Sequence, residues 1–146
     1  YNSYEAFSND DLIAMFGTSL DSGLHLMAIH FSSSVFLQKD NFAFAEEKLP
    51  TALQYSAINT ITSVPDTEVG VSSFLAAGNL YETEVETSRA DAGTGVWFNS
   101  IGNVFLNSGF FVPGNVKDIC LVNAGKKEFV MVANNQGSIQ TFQKMP

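Results

Sequence analysis

The sequence predicts an all-β fold with one short N-terminal helix, and two observations carry this prediction. From Leu24 onward, short apolar runs are separated by turns rich in Asn, Asp, Gly and Ser, a pattern typical of strands and hairpins. The chain also repeats itself, so that segments of its middle third resemble segments near its end. Only the region around residues 8–17 carries the apolar spacing of a helix.

The predicted helix spans about residues 8–17. Ser8 is a suitable N-cap, and Asp10 and Asp11 suit the positive end of the helix dipole. Gly17 is a natural stop. The predicted strands, with boundaries uncertain by about 2–4 residues, lie near residues 24–31, 33–38, 42–46, 57–63, 71–77, 95–99, 103–106, 109–112, 115–122, 128–133 and 138–143.

The internal repeat is the most informative feature. Residues 58–64 align with residues 116–122, and residues 74–79 align with residues 130–135. Residues 34–42 resemble the stretch that begins at Gly95. Each unit therefore runs from an apolar strand through a loop to a strand that ends in small residues and Asn, followed by a hairpin.

Repeats of this length that consist of strands predict β-propeller blades, which are four-stranded meanders of about 40–50 residues. The run Phe74–Ala77 lacks polar alternation, so we expect a strand covered on both faces. The predicted blade units cover about residues 24–56, 57–113 and 114–146, which is roughly two and a half blades against the usual 4–8. We therefore expect one segment, the C-terminal part of a larger propeller. A β-sandwich with coincidental similarity is the alternative.

Composition and charge exclude several classes of function. With 7 basic and 15 acidic residues the net charge is −8, which opposes binding to nucleic acid or to an anionic membrane surface. No apolar run is long enough to insert into a membrane. The single cysteine, Cys120, lies in an apolar run and is expected to be buried. Nucleophile–base arrangements, phosphate-binding glycine loops and metalloprotease helices are absent from the sequence, so we expect no enzyme.

A family resemblance agrees with this interpretation. Residues 74–82, followed by Arg89, Asp91 and Gly95, resemble a stretch of the FG-GAP/VCBS-repeat propellers. These are integrin-α-like proteins of the ASPIC/UnbV type, abundant in Bacteroidetes. Residues 109–119 and 132–142 resemble the ends of such proteins. The resemblance implies a cell-envelope or secreted protein that binds protein or serves as a scaffold, with other blades or another envelope protein as its partners.

The family's calcium loop is degraded in this chain. Blades of this family usually carry D-x-[ND]-x-D-G-x-x-D, whose oxygens bind the cation. The matching stretch, residues 65–73, keeps Gly70 but places Asp66 and Glu68 between the ligand positions. We therefore expect no metal and no other cofactor in this segment.

The acidic stretch from residue 81 to residue 91 is the candidate binding site. In an extended strand, Glu82, Glu84 and Glu86 would share one side. Such a face suits solvent, a cation or a basic partner. We expect Arg89 and Asp91 to form an ion pair that orders the loop. The alternative function is a carbohydrate-binding or glycoside-active propeller, with Trp97 as a sugar-stacking platform, and a third is a purely structural role.

Overall fold

The computed structural model describes residues 1–65 and 68–143, and the chain divides into two compact units, residues 1–31 and 32–146. The first unit contains two single-turn helices, α1 (Tyr4–Ser8) and α2 (Leu12–Phe16), in place of the one helix predicted. The Ser3 and Asp11 side chains cap them by accepting from the Ala6 and Ala14 N–H groups. Ser8 is not an N-cap, because its hydroxyl donates to the Glu5 carbonyl.

Residues 24–31 do not form the predicted strand. Their apolar side chains are more than four-fifths exposed, as at Leu24 and Phe31, and in the described part of the chain no neighbouring strand pairs with their backbone. The apolar composition of this segment is that of a strand, but a strand needs a ladder partner as well as a pattern.

The second unit is built from antiparallel strands in three small sheets, so the all-β prediction is confirmed. The first sheet is a hairpin, and the other two are three-stranded meanders in which each strand pairs with the next. The strands are β1 (Ser34–Gln38), β2 (Phe44–Lys48), β3 (Ile58–Val64), β4 (Ser73–Gly78), β5 (Val96–Asn99), β6 (Val116–Ala124), β7 (Lys127–Asn134) and β8 (Gln140–Gln143). No helix in the described residues is long and apolar enough to cross a bilayer.

The two meanders share one register, which matches the sequence repeat. Ile58 lies opposite Gly78, and Val116, the repeat equivalent of Ile58, lies opposite Asn134, the repeat equivalent of Gly78. Each first strand then has an irregularity of the β-bulge type at the next residue, Asn59 or Lys117. The aligned segments of the sequence therefore correspond to equivalent positions in two copies of one local structure.

Strand β4 is the centre of the fold and is buried on both faces, as its unbroken apolar run predicts. Leu75 and Ala77 face a cluster shared with β6 and β7, which includes Val116 and Val132. Ala76 faces a second cluster with Leu53 and Phe98. Since burial of apolar surface is the dominant favourable term in folding, the β3–β5 and β6–β8 sheets are held together by this core, and β3 also contacts β6 directly.

Three further predictions need correction. The strand near 103–106 is reduced to one bridge between Val104 and Phe98. The segment near 109–112 is not a strand: Val112 is buried and its N–H donates to the Thr94 carbonyl at 2.8 Å, but a single backbone hydrogen bond does not make a ladder. Cys120 is exposed, because it lies on the outer face of β6.

Candidate functional site

The acidic loop, residues 79–95, connects β4 to β5 and contains all five candidate residues. Its two arms pair through Leu80 and Ala90, whose backbone groups exchange hydrogen bonds of 2.8 and 3.0 Å. A turn closes the tip, where the Thr87 N–H donates to the Glu84 carbonyl at 3.0 Å. The Thr83 hydroxyl donates to the Thr87 carbonyl at 2.9 Å. These hydrogen bonds give the loop a defined conformation.

Asn79 fixes the base of the acidic loop from a fully buried position. Its Nδ2 donates to the Gly93 carbonyl at 2.9 Å and to the Pro113 and Gly114 carbonyls at 3.0 Å. Its Oδ1 accepts from the Gly93 N–H at 2.9 Å. The side chain therefore ties both ends of the loop to the segment that leads into β6.

Glu82 extends this connection to the next repeat. Its Oε1 accepts from the Asn115 Nδ2 at 2.7 Å and also from the Asn135 Nδ2, and its Oε2 lies 3.1 Å from the Lys117 Nζ. We call these four side chains the Glu82 cluster. Hydrogen bonds from Lys117, Asn115 and Asn135 lower the pKa of Glu82 from its usual 4.5 to about 2, since they favour the charged form.

All five candidates are exposed to solvent, and Glu84 and Glu86 lie at the tip of the loop. Glu84 accepts from the Thr87 hydroxyl at 3.1 Å, and Glu86 lies in the turn, so the two flank the fully exposed Val85. The three glutamates therefore do not form the single face expected of an extended strand: Glu82 lies in the Glu82 cluster, while Glu84 and Glu86 lie at the tip.

Arg89 contacts an aromatic ring rather than Asp91. Its Cζ lies 5.2 Å from the centroid of the Tyr81 ring, within the range of a cation–π contact. The Tyr81 hydroxyl in turn donates to the Pro113 carbonyl at 3.1 Å. The expected ion pair with Asp91 is not formed among the described residues. Arg89 therefore contacts Tyr81 rather than Asp91. Tyr81 is in turn hydrogen-bonded to Pro113, just before the second meander.

The residues of the calcium-type loop do not form a metal site within the described chain. Asp66 lies outside the described residues. Glu68 is exposed, and Gly70 adopts a φ of 82°, which keeps the turn that the pattern requires. Across residues 1–65 and 68–143, no three His, Cys, Asp or Glu side chains are grouped so that they could hold a metal ion.

Trp97 is half-buried and packs against the cluster that contains Leu75 and Val132. Its centroid lies 5.3 Å from that of Phe105, and its indole Nε1 is buried without a hydrogen-bond partner in the described part of the chain. It also lines a cavity of about 480 Å³ between β5 and β8, together with Leu75, Phe110 and Phe142.

Sequence reasoning missed the Glu82 cluster and the buried role of Asn79. The repeat alignment did place Asn79 and Asn135 at equivalent positions, and both N–H groups donate at 2.9 Å to the residue before the first strand of their repeat, Ala57 and Asn115. That equivalence was the one feature of the sequence that could have indicated a structural role for Asn79. Glu82, however, lies in a long loop whose counterpart in the second repeat, between β7 and β8, spans only residues 135–139.

Comparison with known proteins adds no relative: no family model, no curated protein and no solved structure matches this chain.

Proposed function

We propose that this chain is a β-propeller segment, of the FG-GAP type, that binds protein and has no catalytic role. The observation that carries the proposal is the shared register and bulge of the two meanders, with Thr60 of the first repeat donating to Asp118, its counterpart in the second, at 3.2 Å. Contact between equivalent first strands is the arrangement that a radial array of blades requires.

The acidic loop is the proposed contact surface. Its base is fixed by Asn79 and by the Glu82 cluster, so the tip needs little further ordering when a partner binds. The tip presents the exposed Val85 between Glu84 and Glu86, on a chain of net charge −8. An apolar contact flanked by carboxylates suits a partner with a basic surface around a small hydrophobic depression.

The electrostatics of Glu82 favour a structural role over glycoside chemistry. A general acid needs a pKa raised toward neutrality, whereas the pKa of Glu82 is lowered to about 2. On the basis of the family resemblance, we also propose that the protein lies in the cell envelope or outside the cell. Fractionation of the producing cells tests this location.

Photo-crosslinking tests the contact surface. A photoreactive amino acid at Val85 is expected to capture a basic protein in the cells that make this chain, and the added change Glu84→Gln with Glu86→Gln is expected to abolish the adduct. Gln keeps the volume of each side chain, and at position 84 it keeps the acceptor for Thr87. The control, Lys126→Gln with Lys127→Gln, lies in the β6–β7 turn, at the end of that hairpin away from the Glu82 cluster. Equal adduct yields from all three proteins would refute the assignment.

A further inference from the structure

The outer edge of β5 is covered by a short stretch of the same chain. The Asn99 N–H donates to the Asn103 carbonyl at 3.0 Å, and the Phe105 N–H donates to the Trp97 carbonyl at 2.8 Å. Between them, Val104 forms a bridge with Phe98. Residues 103–105 therefore serve as a rudimentary fourth strand of this meander.

The third strand of the second meander has the same register as β5. Trp97 lies opposite Leu75, and Thr141 lies opposite Met131, the repeat equivalent of Leu75. Thr141 therefore occupies the position of Trp97. Because backbone groups of alternate residues point to opposite sides of a strand, the Thr141 carbonyl points to the outer edge of β8, as the Trp97 carbonyl points to the outer edge of β5.

Gln143 occupies the position of Asn99 by the same register. Its N–H therefore faces outward as well. Within residues 1–65 and 68–143, no backbone group pairs with this edge of β8. An edge with an outward carbonyl at one residue and an outward N–H two residues later is a template for an added antiparallel strand.

The cavity of about 480 Å³ lies beside this edge. Thr141, Phe142 and Gln143 line it on one side, and Trp97 and Phe110 line it from the neighbouring sheet and its following loop. Side chains that lie directly opposite each other on paired strands share a face. Val130 and Phe142 pack against the core from the cavity side, so a residue opposite Phe142 would place its side chain on the face that borders the cavity, as Val104, opposite Phe98, packs against the second cluster.

We propose that the outer edge of β8 binds an extended segment of a partner polypeptide, with an apolar residue opposite Phe142. The segment Asn103-Val104-Phe105 covers the equivalent edge of β5. We therefore expect the partner segment to have a similar sequence. Strand addition uses main-chain hydrogen bonds for affinity and side-chain pockets for specificity. The inference rests on the repeated register and is independent of the acidic loop.

A peptide with the sequence of residues 100–107, acetylated and amidated, is the probe for the 146-residue chain. The only tryptophan, Trp97, lines the cavity, so its fluorescence reports entry of the peptide's valine side chain. We expect a saturable fluorescence change together with slower hydrogen exchange at the Gln143 amide. A peptide N-methylated at its Phe keeps the apolar groups but loses the donor to Thr141, and is expected to bind about fivefold or more weakly.

Two variants complete the test. Gln143→Pro removes the outward N–H and is expected to weaken peptide binding, whereas Gln143→Ala keeps that N–H and is expected to bind as the wild type does. No saturable change, equal affinity for the methylated and unmethylated peptides, or unchanged exchange at Gln143 would each overturn the proposal. Because Glu84→Gln with Glu86→Gln should leave peptide binding intact, failure here is distinguishable from failure of the acidic-loop proposal.

Discussion

Replacing Asn79 by alanine is expected to destabilise the fold far more than any surface change. The side chain is fully buried, and its amide supplies two hydrogens, shared among three carbonyls, and one acceptor for the Gly93 N–H. Three hydrogen bonds at about 1 kcal/mol each are lost, and the orphaned N–H adds about 1 kcal/mol. Asn79 also has a φ of 104°, where alanine costs about 1 kcal/mol more.

The expected loss in the free energy of unfolding is therefore about 4–5 kcal/mol. At roughly 3 °C per kcal/mol for a chain of this size, the melting temperature should fall by about 12–15 °C. Urea unfolding followed by Trp97 fluorescence, with thermal unfolding followed by circular dichroism, measures both quantities.

Asn135→Ala is the matched control. Asn135 occupies the equivalent position in the second repeat, but it is exposed, and among the described residues its side chain bonds to Glu82 alone. Its loss should cost no more than about 1 kcal/mol. If Asn79→Ala lost less than about 1.5 kcal/mol, or no more than Asn135→Ala, the reasoning that the buried amide holds the loop to the next repeat would be refuted.

Three further predictions concern backbone clearance, charge and packing. Gly78→Ala should cost about 3 kcal/mol or more, because its Cβ would overlap the Ala57 carbonyl oxygen; Gly125→Ala, with open space but a φ of 64°, should cost about 1 kcal/mol in the same urea assay. The lowered pKa of Glu82 means that its contribution is complete above about pH 4.5 and is lost as the pH falls toward 2. The melting temperatures of the wild type and Glu82→Gln should therefore converge over that interval, and less difference should remain at high salt; a constant gap would contradict this. Val112→Ala, at a fully buried position, should cost about 2 kcal/mol against less than about 1 kcal/mol for the exposed Val122→Ala, measured by chemical unfolding.

The repeat was the part of the fold that the sequence made predictable. The alignment of residues 58–64 with 116–122 anticipated equivalent strands, and the apolar run from Phe74 to Ala77 anticipated a strand buried on both faces. Both are local patterns whose partners lie nearby in the chain. Residues 24–31 share the apolar composition of a strand, but the prediction of a strand there was wrong. An apolar pattern does not show whether a neighbouring strand is present to pair with it.

The sequence identified the stretch of chain that contains the candidate site, but not the contacts that its side chains make. Composition identified the acidic loop, but it could not distinguish Glu82 from Glu84, because the difference comes from Asn115 and Asn135, which lie far from it in the sequence. The predicted start of the helix was wrong for a similar reason. Ser8 and Asp11 are both good caps by residue type, and only the local geometry selects Asp11.

The contact between Thr60 and Asp118 has a consequence for how such a chain can evolve. These two residues are the same position in two copies of one unit. When a unit is duplicated, a change at that position made before the duplication alters both partners of the contact at once, whereas a later change alters only one. The different residues now present, a hydroxyl donor and a carboxylate acceptor, form a pair that requires the copies to have diverged. Two aspartates at this seam would repel each other, so a change of both copies to Asp would lose the contact that the unequal pair makes.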